Sequence, residues 1–130
     1  MELMYNDDKS HMGVFLVAYG KNNLLPKEKA ALIELKKSLN GFLRERLIKF
    51  VLFGSRARED YDNKSDIDLA IIVRGLTRNL KNQVLEKVAH IEFKHLVPIS
   101  SLVLSEDEFK NLKRMERRIA LDIEREGEPL

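Results

Sequence analysis

The chain has no cysteine and no tryptophan, only three prolines and three histidines, and no long apolar run. Without cysteine it can form neither disulfides nor a thiolate-held metal site. His11, His90 and His95 are scattered. His90 and His95 stand five apart, whereas paired helical ligands prefer a spacing of four, so both read as ordinary helix residues. No apolar stretch approaches the ~20 residues that span a bilayer. Met12 to Ala18 is too short, and no convincing cleavage signal follows it. A soluble cytoplasmic protein with no membrane role is expected. An excess of either charge is also missing. Twenty-three basic residues face 21 acidic ones, for a net charge of +2. That balance argues against a nucleic-acid-coating protein, and few aromatics are placed to stack on bases.

What is present is enough for one globular domain: 130 residues, 44% of them hydrophobic. Residues 1–11 are polar, and Asp7-Asp8-Lys9-Ser10-His11-Met12 reads as a tag and cloning remnant. Residues 1–11 are therefore expected to be an expression remnant or disordered, and residues 12–130 to form the domain. Val14 to Tyr19 suits a short edge strand or an extended arm. Pro26 suits the first turn of a helix, and Leu32, Leu35, Leu39, Phe42 and Leu43 follow at helical spacing. Asn40-Gly41 would end or weaken that helix. Ile48 to Phe53 is apolar enough for a core strand covered on both faces. Asp66 to Val73 reads as a second strand. Leu80, Val84, Val88, Ile91 and His95 mark the next helical face. Leu96 to Leu104 reads as a third strand with Pro98 near its entry, which favours an edge. Ser105 to Glu108 fits a capping box. One helix is expected to follow, through Phe109, Leu112, Ile119 and Ile123, to a stop at Gly127 and Pro129. The fold class is α/β (α+β): a small mixed sheet of three to five strands with helices packed mainly on one side.

Chemistry concentrates between Gly54 and Asp68, GSRAREDYDNKSDID. Gly54 ends the first core strand, where glycine permits a strained turn and close approach of a ligand. Ser55 is placed to cap the next turn or bond a phosphate oxygen, and helix-start amides point at an anion. Arg56 and Arg58 add donors suited to phosphate. Alternation along a strand turns Asp66 and Asp68 to one face and Ile67 to the other. Two carboxylates so close are not expected to be both buried and ionised without a cation between them; the alternative is that both face water as ordinary surface acids. Oxygen ligands suit magnesium, which commonly takes one or two carboxylates plus substrate phosphates. A tight turn facing that pair would hold a nucleoside triphosphate and its magnesium.

Gly54-Ser55-Arg56-Ala57-Arg58, followed by Ser65-Asp66-Ile67-Asp68-Leu69, resembles the minimal nucleotidyltransferase (MNT) branch of the DNA polymerase beta superfamily. The tight match covers about fifteen residues, and the order of helices and strands extends it loosely over most of the chain. The resemblance implies that Gly54 and Ser55 bind the triphosphate and that Asp66 and Asp68 ligate magnesium and are catalytic. Arg56, Arg58 and Ser65 complete the expected nucleotide-binding set. Two departures stand out. Glu59 occupies a position commonly held by glycine. Members also usually carry a third acid on a later strand, and Leu96 to Leu104 has none. Ser100 or Ser101 falls about where it would stand. Glu92 lies before that strand and Glu106 after it.

The expected function is transfer of a nucleoside monophosphate, AMP from ATP, to an acceptor hydroxyl. Small family members are often encoded beside a helical HEPN-type toxin. The resemblance therefore implies an acceptor on such a partner and an antitoxin role for this chain. The alternative is a catalytically weak or inactive nucleotide-binding antitoxin module that acts by contact. Nucleic-acid binding through the basic C-terminal helix ranks last, and homo-oligomerisation is left open.

Overall fold

The computed structural model describes residues 24–57 and 65–130. The expectations for residues 1–11, for Val14 to Tyr19, and for Arg58 and Glu59 lie outside the described residues.

Helix α1, Pro26–Leu43, opens with proline at its first position. There the missing N–H leaves no bond unmade. It turns Ala31, Leu32, Leu35, Leu39 and Leu43 into the core. Strand β1, Leu47–Phe53, follows a short 3-10 turn and is antiparallel to β2, Ile67–Val73. Helix α2, Arg78–His95, is capped by Thr77, whose hydroxyl accepts the Leu80 N–H at 3.1 Å. It returns the chain to β3, Ile99–Ser105, which runs parallel to β2. Ser105 then caps α3, Glu106–Arg114, with the expected reciprocal bonds to Glu108 of 3.0 and 2.8 Å. Helix α4, Arg118–Glu126, precedes β4, Glu128–Pro129.

The mixed sheet has the order β3-β2-β1-β4. The two long helices, α1 and α2, cover one face through Leu35, Leu39, Val84, Val88 and Ile91, against Leu52, Leu69 and Ile71. The shorter α3 and α4 cover the other through Phe109, Ala120 and Ile123, against Val51, Phe53, Ala70 and Ile72. Strand β2 is almost wholly buried because it has a neighbour on each edge and helices on both faces. Full burial of such side chains is worth about 1.5–3 kcal/mol each.

Three expectations change. Gly41 does not end α1. Phe42 and Leu43 continue the apolar spacing, and the helix closes only at Arg44, with φ 56°. The C-terminal helix is two helices. Glu116 takes a left-handed φ of 55°, and the turn lets Ala120 and Ile123 reach the sheet while Ile119 stays 37% exposed. The last residues add a strand: Glu128 and Pro129 pair with Leu52 and Val51. An edge position suits Pro129, which has no N–H to offer.

Candidate active site at the rim of the sheet

The β1–β2 ladder ends with Phe53 opposite Asp68. Gly54, next in line, takes φ +74°. A Cβ at this position would lie 2.2 Å from Asp68 Oδ2. The elbow backbone therefore accepts the Asp68 carboxylate at a distance that no side-chain-bearing residue would permit. Asp68 alternates with Ala70 and Ile72, so it points to the face covered by α3 and α4. By the same alternation Asp66, exposed and one residue ahead of the strand, heads to that side. The sheet rim thus brings Gly54 and both aspartates together.

The rest of the elbow is tied down from within. Gly54–Ala57 forms a 3-10 turn. The Ser55 and Ser65 hydroxyls lie 2.9 Å apart. Arg56, expected to face a phosphate, is instead 2% exposed. Its Nη1 donates to Glu28 Oε1 at 2.5 Å, its Nη2 to the Ser65 carbonyl at 2.9 Å, and its Nε to Ser65 Oγ at 3.2 Å. Glu28, itself 4% exposed, also accepts the Leu25 N–H at 2.8 Å. A buried guanidinium needs a paired charge and filled donors. The geometry supplies both, so Arg56 braces the loop ahead of Asp66 from the core side. Glu28 was not singled out from the sequence. A glutamate two residues after Pro26 signals a helix start, but nothing in its surroundings points to a residue 28 positions on.

Strand register separates the two serines considered for the third acid. Ser100 pairs with Asp68 and shares its face, while Ser101 pairs with Leu69 and faces the other way. Neither nearby glutamate takes that place. Glu92 projects from α2, the helix on the opposite face, and accepts the Ile99 N–H at 2.9 Å. Glu106 sits at the far end of β2, where Val73 pairs with Ser105. It accepts from Arg74 Nε at 3.1 Å, and that hydrogen bond holds its carboxyl below the usual glutamate range. An open groove between α1 and α2, lined by Glu34, Phe42, Lys87 and His90, also lies on the face away from Asp68.

Among the described residues no group of three or more His, Cys, Asp or Glu side chains is placed to hold a metal. Two carboxylates still suit magnesium, a hard ion that takes its remaining oxygens from water or phosphate. The donor set fits an ion that arrives with a triphosphate and does not form a closed protein cage. No helix among the described residues is long and apolar enough to cross a membrane.

Residues 34–130 match the family model described as "Polymerase beta, Nucleotidyltransferase". A Methanocaldococcus jannaschii protein named "Putative protein adenylyltransferase MJ0141" is 34% identical over 71 residues, 54% of this chain and 72% of that protein. A second from the same organism, "Putative protein adenylyltransferase MJ0604", is 44% identical over 45 residues, 35% of this chain and 45% of that one. A crystal structure titled as a "putative nucleotidyltransferase from Sulfolobus solfataricus" is 23% identical, covering 68% of this chain and 82% of that one, with a TM-score of 0.40. With the glycine elbow and the acid pair on one sheet rim, and a family model spanning most of the chain, this protein belongs to the polymerase beta nucleotidyltransferase family and fits its minimal branch.

Proposed function

We propose that the chain transfers AMP from ATP to a hydroxyl on another protein. The observation that carries this reading is the seating of the Asp68 carboxylate against the Gly54 backbone, which sets an acid beside a phosphate-sized turn. In the reaction the acceptor oxygen attacks the α-phosphorus. The new O–P bond forms as the bond to the β-phosphate oxygen breaks, pyrophosphate leaves, and the acceptor proton passes to solvent. The Gly54 amide and the Ser55 hydroxyl grip the outgoing phosphates, with Arg58 as a further cationic donor. Asp66 and Asp68 would hold a magnesium ion that accompanies the nucleotide, which would supply charge neutralisation at the phosphoryl oxygens. The relatives' names, protein adenylyltransferase, support a protein acceptor. By the same reading that partner is a HEPN-type toxin and this chain its antitoxin.

Transfer of label from α-labelled ATP to the partner tests this directly. Wild type should label it, and Asp66→Ala with Asp68→Ala should not. Undiminished labelling by the double variant would reject the site. A second reading is favoured by Ser100, which places a hydroxyl where a third carboxylate would complete the site. On that reading the domain binds nucleotide and neutralises the toxin by contact. The double variant would then still protect cells, and a variant that fails to protect counts against it.

A further inference from the structure

Strand β3 is the outer strand of the sheet and pairs only with β2 among the described residues. Its sequence, ISSLVLS, contains no charge and no proline, and its register with β2 is unbroken. Sheet edges are ordinarily blunted by lysine, proline or a bulge, because a bare row of N–H and C=O groups is a template for another strand. None of those devices occurs within β3.

The helix above this edge exposes large apolar residues toward the same end. Helices α1 and α2 lie next to each other, with α1 against β1 and α2 against β3. The α2 flank that faces α1 is fixed by its contacts. Lys87 Nζ lies 5.0 Å from the Phe42 ring centre, and Lys94 and His95 each lie 2.8 Å from Glu34. At 100° per residue the opposite flank carries Leu85 and Ala89 among Arg78, Lys81 and Glu92, with Phe93 turned further outward, and Leu96 follows as the left-handed cap of the helix. That flank overhangs the open edge of β3. Phe93 is 83% exposed and Leu96 74%, more than any other large apolar residue described.

We propose that this edge joins two copies of the chain. Strand β3 pairs antiparallel with its own copy about Leu102, and the outer flanks of the two α2 helices pack together. An uncharged strand can meet itself without repulsion between like charges. One two-fold axis serves both layers. Helix α2 extends about 27 Å and β3 about 23 Å, so the two layers are of similar length. Antiparallel packing also brings Arg78, at the start of one helix, toward Glu92 and the negative C-terminal end of the other. Phe93 alone would bury on the order of 150 Å² per protomer. With Leu85, Leu96 and the strand row, the total reaches on the order of 1,000 Å² for the pair, the threshold for a specific interface.

Light scattering across a concentration series tests this in the full chain. Wild type should weigh twice the 15.1 kDa of one chain. Phe93→Glu with Leu96→Glu should weigh one chain and remain folded by circular dichroism, since both side chains are exposed in a single chain, with a melting temperature that no longer rises with protein concentration. The chain lacks cysteine, so Leu85→Cys introduces a single thiol beside the helix midpoint. Under mild oxidation it should form a disulfide-linked dimer, whereas Phe42→Cys, on the α1 side, should not. A wild type that stays monomeric throughout overturns the proposal, as does a dimer that ignores the Phe93 and Leu96 changes. A monomer that gains mass only when another protein is added assigns the edge to a different occupant and overturns it equally.

Discussion

Replacing Glu28 with alanine removes the carboxylate that faces Arg56 Nη1 at 2.5 Å, a buried partner of a guanidinium only 2% exposed. Taking one partner from a buried ion pair costs about 3–5 kcal/mol, chiefly because the remaining charge stays desolvated. The Leu25 N–H loses its acceptor too, worth about 1 kcal/mol more. Domains of this size are stable by about 5–15 kcal/mol, so the variant should lose a large part of its margin. Urea unfolding followed by circular dichroism, with an unchanged slope, measures the loss. The pair Glu28→Leu with Arg56→Met removes both charges and should recover most of the stability, since an apolar pair of similar volume is often neutral or better. MgATP affinity should not recover, because the Arg56 bonds to the Ser65 carbonyl and hydroxyl ahead of Asp66 are then gone. The reasoning is refuted if Glu28→Ala costs under about 1 kcal/mol, or if the double variant is less stable than either single one.

Gly54→Ala forces a side chain onto φ +74° and a Cβ to 2.2 Å from Asp68 Oδ2. The backbone term is about 1 kcal/mol, so a modest fall in melting temperature should accompany near-total loss of nucleotide binding by calorimetry. Ser100→Asp places a third carboxylate opposite Asp68. It should tighten manganese binding in titration calorimetry and destabilise the metal-free protein, and a titration identical to wild type would show that residue 100 points away from the acids. Hydrogen bonds from Lys94 and His95 hold Glu34 below the usual carboxylate range, the one from Arg74 does so for Glu106, and the one from Lys113 does so for Glu124. A depressed carboxylate stabilises the fold fully above its unfolded value of 4.5 and loses that contribution as pH falls through the lower folded value. The urea midpoint should therefore hold above pH 4.5 and decline below it, and glutamine at all three positions should flatten the decline. These pairs are largely exposed, so the amplitude should be small.

The site was legible because its signal is local. Gly54 ends an apolar run, and Asp66 and Asp68 stand two apart at the head of another, so strand alternation alone predicts a shared face. The central strands and α2 followed from continuous runs and clean helical spacing. What escaped depends on partners far along the chain. Arg56 looks the same whether it meets a phosphate or the buried Glu28, and only the packed start of α1 decides. Gly41 carries a propensity cost of about 1 kcal/mol, which the burial of Leu39 and Leu43 on either side outweighs. The break at Glu116 follows from where the sheet surface lies. Two residues of β4 are too few to show any period, and they become a strand only because β1 offers an open edge.

Asp66 sits between two anchors of different origin. Arg56 holds the carbonyl of Ser65 just before it. Just after it, the Ile67 N–H donates to the Pro98 carbonyl at 3.2 Å. Pro98 immediately precedes β3, so the loop before Asp66 and that edge strand share a peptide-to-peptide link. A shift of that strand by a few tenths of an ångström would change the spacing of the two acids, so on the proposed function occupancy at the border of the sheet would adjust how the pair meets an ion.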